Sequence, residues 1–207
     1  MKPLTKLETW ACPLPLSNID TDQLIPARFM KTPRSQGYQD YLLYDLRRND
    51  LGELRSDWAL NHDAGKGAQV LVTRKNFGAG SSREAAVYAL VDHGFRCVIA
   101  PSMGDIFSSN AVNNGLLPAV VSEDDAEQLL SALMPNGCLV TVDLPAQRIH
   151  AGDLIVDFHI KPNWKAKLIN GWDDIDLTLS LKSEIQTFKT QRVQTRSWLF
   201  PPISAAH

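Results

Sequence analysis

The stretch that most constrains this chain lies between an apolar β-branched run, Val70-Leu71-Val72, and the Ala/Leu-rich segment that follows Glu84. Between them, Asn76-Phe77-Gly78-Ala79-Gly80-Ser81-Ser82-Arg83-Glu84 supplies two glycines, two serines and an arginine. The order reads as strand, glycine turn and helix N-terminus, with the helix over 82–91 and its end near Gly94. The alternation then repeats, with a strand at 95–100, a short helix at 105–110 and a strand at 117–121. Strands and helices alternating at this spacing call for parallel pairing with right-handed crossovers, so the fold class is α/β.

A strand-to-helix junction of this kind binds anions. The first helical turn has unpaired N–H groups and a partial positive charge, which stabilise a carboxylate or phosphate placed there. Gly78 and Gly80 let a ligand approach the backbone, Arg83 adds a two-donor fork, and Ser81 and Ser82 bring two hydroxyls. The nucleotide and acyl-transfer motifs fail at fixed offsets. No Lys follows Gly80 as a P-loop needs, Arg83 stands where a dinucleotide fingerprint needs a small residue, and no second glycine completes a nucleophile elbow around Ser81. Two readings remain. One is a small-carboxylate site centred on a serine hydroxyl; the other is an ordinary serine N-cap worth ~1 kcal/mol with Arg83 and Glu84 as a solvated surface pair.

Composition narrows the class further. With 207 residues, 44% hydrophobic and 21% charged, the chain can bury one substantial core, so a single domain over 1–207 is expected, with 192–207 as a tail. A net charge of -2 with dispersed basic residues excludes the footprint of a nucleic-acid binder. No run approaches the ~18 apolar residues of a membrane span, and the N-terminus shows no signal-peptide core, so a cytoplasmic location is expected. Cys12, Cys97 and Cys138 are widely spaced, and the last two lie inside Val/Ile/Leu runs as small apolar residues do. His62, His93, His150 and His159 lack i, i+4 partners and read as structural or surface residues. No metal ligand set is expected.

Residues 4–16 read as a strand broken by turns at its prolines, and 18–22 as a polar turn. Asp20 and Asp22 lack a third ligand, which favours turn-stabilising side-chain bonds over a metal. An aperiodic loop is expected at 33–39, a helix at 38–46, and a polar excursion over 47–66 with Trp58-Ala59-Leu60 packed back on the body. Ser122 caps a helix over 123–134, with Asp125 at the capping-box offset. Segments 138–144, 148–150 and 154–160 alternate in period two as antiparallel strands; 165–169 and 183–190 read as helical.

The segment Asn76 to Glu84 resembles the signature of the aconitase-type swivelling domain, most closely the family of small subunits of 3-isopropylmalate dehydratase. Asn18-Ile19-Asp20-Thr21-Asp22-Gln23-Leu24-Ile25-Pro26, Val98 to Ser102 leading to Asp105-Ile106-Phe107, and Asn114 to Pro118 match in the same order, with a weaker match near Ile175 to Leu179. The resemblance implies a layered β/β/α fold with a partly parallel sheet and flanking helices. It implies a hydro-lyase subunit that isomerises 2-isopropylmalate to 3-isopropylmalate by dehydration and rehydration, in leucine biosynthesis. The partner would be a large iron–sulfur subunit holding a [4Fe–4S] cluster, the substrate a small dicarboxylate, and this chain would bind no iron and be inactive alone.

By the same resemblance, Ser81 is the base, Ser82 and Arg83 hold the substrate, and Thr21 and Asp22 orient them, with Gly78 and Gly80 in support. Arg28, Phe29, Met30 and Lys31 would read the substrate's variable group or a second carboxylate. Three positions depart from the family pattern: Ala79 stands for Cys, and Ala85 and Val87 stand in place of the His and Pro of a His-Ala-Pro-Trp run. Ala85 removes a titratable side chain, which opens the alternative of a related citramalate, dimethylmaleate or homoaconitate-type subunit. A non-catalytic binding module that keeps the fold is the remaining alternative.

Overall fold

The computed structural model describes residues 1–199, apart from the side chains at 63 and 64. The first strand, β1 (Lys6–Leu14), is followed by three single-turn helices, α1 (Thr21–Leu24), α2 (Tyr44–Arg47) and α3 (Asp63–Lys66). The alternating part comprises β2 (Val70–Thr73), α4 (Glu84–His93), β3 (Cys97–Ala100), α5 (Asp105–Asn113), β4 (Leu117–Val120) and α6 (Glu123–Leu133). Then come β5 (Cys138–Asp143), β6 (Arg148–Ala151) and β7 (Leu154–Asp157), and the helices α7 (Pro162–Asn170), α8 (Asp174–Ser180) and α9 (Lys182–Thr195).

The seven strands form one sheet in the order β4-β3-β2-β1-β5-β6-β7. Strands β1 to β4 are parallel, as short β-branched runs separated by helices require, and β5 joins β1 antiparallel to begin a meander through β6 and β7. The sheet curls on itself, because Val120 and His159 exchange backbone hydrogen bonds of 3.1 and 2.7 Å between the end of β4 and the chain leaving β7. Period-two alternation then divides the core. Val70, Val72, Cys97 and Ile99 point inward against Val140, Val142 and Ile149 of the antiparallel half and Leu129, Leu130 and Leu133 of α6. Leu71, Val98 and Ala100 face the other way, onto Ala86 and Leu90 of α4 and Phe107 and Ala111 of α5. The result is the expected β/β/α layering.

Local signals account for the helix boundaries. Ser122 accepts a hydrogen bond from Asp125 N–H at 3.0 Å and its hydroxyl donates to the Asp125 carboxylate at 2.6 Å. Pro162 opens α7, and Gly94 and Gly171 close α4 and α7 in the left-handed region at φ +115° and +71°. Trp58, Ala59 and Leu60 pack on the second core cluster, as expected of an excursion that returns to the body.

Four expectations need correction. β1 runs unbroken through Pro13, which lies past the end of the β5 pairing at Ala11, where the strand has a neighbour on one side only. The helix expected at 38–46 is split into a 3-10 turn, Gln39–Tyr41, and α2, because Leu43 sits at φ +50° with its N–H bonded to the Leu24 carbonyl at 3.0 Å. The loop at 33–39 is a set of turns fastened to α4: Tyr38 N–H donates to the Asp92 carboxylate at 3.0 Å and Arg34 lies 3.6 Å over the Tyr88 ring. Finally, α4 begins at Glu84 instead of Ser82. At the C-terminus, 192–195 is the last turn of α9, a 3-10 turn Ser197–Leu199 follows, and Pro201-Pro202 lie outside the described residues.

Candidate active site

Three loops leave the C-terminal ends of β1, β2 and β3 and are stitched into one surface. In open parallel sheets this is the side on which ligands bind. Parallel bridges join Asp20 to Ala79 and Phe77 to Met103. Gly78 N–H donates to the Ile19 carbonyl at 2.7 Å, Thr21 N–H to the Ala79 carbonyl at 3.0 Å, and Gly104 N–H to the Phe77 carbonyl at 2.9 Å. Asn18 and Asn76 both occupy the left-handed region, at φ 59° and 62°, which asparagine tolerates, and their amides hydrogen-bond each other at 2.9 Å. Asp20 fixes the first loop by capping α1, accepting from Gln23 N–H at 2.7 Å while Gln23 returns the bond to Asp20 N–H.

The loops enclose a shallow cleft of about 260 Å³ lined by Gly78, Ala79, Gly80, Ser81 and the start of α5, residues Gly104 to Phe107. Glycine is dictated at its floor. A Cβ on Gly78 would stand 2.3 Å from the Phe107 ring, and one on Gly104 would stand 2.6 Å from the Gly78 carbonyl. Phe107 is buried edge-to-face against Phe77, with ring centroids 5.4 Å apart, so the glycine loop and the first turn of α5 are held as one piece.

Ser81 is exposed in this cleft, and among the described residues its hydroxyl has no hydrogen-bond partner. It does not cap α4, whose N-cap is Arg83 with no side-chain cap bond. The N–H groups of Gly80, Ser81 and Ser82 likewise make no hydrogen bond within the described residues. With Gly80 at φ +99°, these three consecutive amides form a concavity suited to an anion. The Ser81 carbonyl accepts from Arg83 N–H at 2.7 Å and from the Thr21 hydroxyl at 3.1 Å, which anchors the serine's backbone while its hydroxyl stays available. Arg83 is ion-paired with Asp22, and its side chain is only 24% exposed.

The structure therefore brings Ser81, Arg83, Thr21, Asp22, Gly78 and Gly80 together, with Ser82 exposed beside them. Of these, Gly78, Gly80 and Ser81 line the cleft itself; Arg83, Ser82, Thr21 and Asp22 do not, and neither do Arg28, Phe29, Met30 and Lys31, which form a 3-10 turn, Ala27–Lys31. Arg28 is ion-paired with Asp45 beside a separate hollow, Phe29 stacks on Tyr41 at 4.2 Å, and Met30 and Lys31 are exposed. Ala79 and residues 104–107 line the cleft without having been read as site residues. The available signal was a second strand–glycine–helix junction, Cys97–Ala100 followed by Gly104 and Asp105, which repeats the first.

Val87 is fully buried in the second core cluster and Ala85 packs against it. Glu84 accepts from the Asn114 amide at 2.9 Å, tying the start of α4 to the end of α5. Among the described residues no group of three or more His, Cys, Asp or Glu could hold a metal. Cys12 and Cys97 belong to clusters on opposite faces of the sheet, and burial pushes the Cys12 thiol up to about 12 and raises that of Cys97 further. These residues do not fit the ligand set of an iron–sulfur cluster, which needs converging thiolates.

Comparison with known proteins bears on the family and the fold. Residues 1–124 match the family model described as the aconitase C-terminal domain. The chain is 42% identical over 201 residues to the 3-isopropylmalate dehydratase small subunit of Parvibaculum lavamentivorans, covering 96% of this chain and 100% of that one. It is 42% identical over 200 residues to the small subunit of Bacillus subtilis, covering 96% and 99%. The crystal structure of 3-isopropylmalate dehydratase from Methanocaldococcus jannaschii shares the fold at a TM-score of 0.63 and 24% identity, over 89% of this chain and 99% of that one. Among the described residues no helix is long and apolar enough to cross a membrane.

Proposed function

The chain belongs to the aconitase C-terminal domain family, among the small subunits of 3-isopropylmalate dehydratase, and from that premise we propose that it completes the active site of that hydro-lyase. With a large subunit it interconverts 2-isopropylmalate and 3-isopropylmalate, as a cytoplasmic step of leucine biosynthesis. The observation that carries the reading is the exposed Ser81 hydroxyl, without a partner among the described residues, beside three open amides and the Asp22-held Arg83.

The reaction takes a proton from the carbon next to a carboxylate while hydroxide leaves the neighbouring carbon; water then returns with the positions exchanged. Arg83 presents a planar fork that binds one carboxylate in two bonds, and the three N–H groups supply further donors. The carboxylate is thereby fixed and the acidity of the adjacent carbon raised. Ser81 accepts that carbon's proton at Oγ, which requires its alkoxide to be stabilised. The positive field of Arg83, the amides and the helix N-terminus acts in that direction. Thr21 and Asp22 hold the backbone of Ser81 and the side chain of Arg83 in register. The iron–sulfur cluster that the family implies is assigned to the large subunit, because the cysteines here diverge across the sheet.

The test is anaerobic co-expression with a candidate large subunit, followed by assay on alkylmalates. Interconversion of the two isopropylmalates by the pair, and none by this chain alone, is expected. A pair that turns over only another 2-hydroxy diacid would reassign the substrate, and a pair with no activity on any would leave a binding module.

A further inference from the structure

The C-terminal arm carries apolar side chains that the fold leaves uncovered. No residue of α8 or α9 is buried, and every residue of α9 except Arg192 is exposed. Leu181, Ile185 and Phe188, at i, i+4 and i+7, share one side of the helix and are 50%, 47% and 62% exposed. Arg192 extends the same stripe, with its guanidinium over the Phe188 ring. Apolar side chains gathered on one side of an exposed helix mark an interaction surface.

Little within α9 holds it as a helix on its own. Its 14 residues fall in the range where an isolated helix is marginal in water. Ile185, Thr187, Thr190, Val193 and Thr195 are β-branched, which lowers helix propensity, and Glu184 bonds the adjacent Ser183 hydroxyl at 2.7 Å. Helices in proteins draw most of their stability from packing an apolar face, and the face of α9 is open to a second chain. The root of the arm, by contrast, is fixed. Lys167, buried in α7, donates to the Asp174 carboxylate of α8 at 2.6 Å and to Asn113, the last residue of α5, at 2.5 Å. The cleft lies at the other end of α5, so a partner can grip the arm without covering the cleft.

We infer that Leu181, Ile185 and Phe188 are where the large subunit grips this chain, seating α9 in an apolar groove with acidic rims. This rests on the proposed pairing with a large subunit. The family model matched over 1–124 describes a C-terminal domain, one carried on a longer chain, and α9 lies beyond the matched residues. The Parvibaculum lavamentivorans small subunit, aligned over 100% of its own length and 96% of this chain, has the domain as a separate chain with α9 inside the alignment. A domain without a covalent tether needs a contact that keeps its effective concentration high. Charge then selects the partner's chemistry. Lys182, Lys189, Arg192 and Arg196 stand on or beside α9 against one acid, Glu184, in a chain of net charge -2. The arm of a second copy would set these cations against their like, whereas acidic rims would complement them.

The experiment measures binding of a purified candidate large subunit to this chain by isothermal titration. It compares the parent with Ile185→Ser and Phe188→Ser, singly and together, and with Thr190→Ala on the opposite side of α9. The replaced side chains are exposed, so the body folds as before, which a urea titration checks. Truncating an interface anchor weakens binding by ~30-fold or more. Each serine variant should do so, the double variant more, and Thr190→Ala should stay within about 2-fold. At saturating small subunit, kcat of the serine variants should stay within about 2-fold of the parent, because the cleft is untouched. Amides of 182–195 should exchange rapidly in the free chain and become protected in the complex. Unchanged affinity in the double variant, or equal exchange in the free and bound chain, would overturn the inference. So would sedimentation showing that the parent self-associates through α9 and the serine variants do not. A parent that binds no large subunit would instead sink the proposed pairing itself.

Discussion

Asp22 and Arg83, separated by 61 positions in sequence, form an ion pair next to the Ser81 backbone. The carboxylate comes from the first turn of α1 and the guanidinium from the N-cap of α4, so the pair couples the loop after β1 to the loop after β2. Arg83 is held there with its side chain 24% exposed, and the proposed role for it is that of a directed donor to an incoming carboxylate.

Arg83→Lys should therefore lower kcat/KM of the reconstituted complex by ~10- to 100-fold while the circular dichroism spectrum is unchanged. The charge survives but the planar fork is lost, and a hydrogen bond to a charged partner is worth ~1.5–3 kcal/mol. Unchanged catalytic efficiency would show that Arg83 is only a surface cation.

Ser81→Ala separates a base from a cap. Since Ser81 caps nothing and its hydroxyl is unbonded among the described residues, the unfolding free energy from urea titration should stay within about 0.5 kcal/mol of the parent. Turnover should fall at least ~100-fold, with binding of an unreactive substrate analogue nearly unchanged. Equal activity in mutant and parent would move the proton acceptor elsewhere.

Gly78→Ala tests the floor. The new Cβ would stand 2.3 Å from the Phe107 ring on a backbone at φ +67°, so overpacking and a left-handed alanine act together. A loss of at least ~2 kcal/mol of stability is expected in urea titration. Phe107→Leu in the same chain should recover part of it by opening space.

His93 predicts how stability changes with acid. Burial, with the Arg47 guanidinium adding to it, lowers its pKa from 6.5 to about 4. The folded value lies below the unfolded one, so between them the unfolded chain binds the extra proton. Stability from this group is complete above the unfolded value and is lost as the pH falls from 6.5 toward about 4, by up to roughly 3 kcal/mol. Urea titrations of the parent and His93→Gln across that window should show the parent losing more stability, and parallel curves would contradict the assignment.

The parallel half of the sheet was legible because Val70 to Val72 and Val98 to Ala100 are buried on both faces and are punctuated by glycine. The antiparallel half was legible from its two-residue period, and α6 from Ser122. Boundaries decided by tertiary contact were not. Leu43 is pulled into the left-handed region by a bond to Leu24, and α4 starts late because Arg83 N–H turns back to the Ser81 carbonyl. At the site, local pattern could point to Ser81 and Arg83, since strand, glycine and helix are contiguous there. It could not show that the wall opposite comes from residues 104–107, because that depends on Phe107 filling the space left by Gly78.

The Val120–His159 bridge has a consequence for a subunit made separately from its partner. A short apolar strand such as Leu117–Val120 at the margin of a sheet is a template for pairing with another chain. Here the end of that strand is satisfied from within, by the segment leaving β7, and Pro118 gives it no N–H to offer at its centre. Curling the sheet thus guards the free subunit against edge-to-edge aggregation.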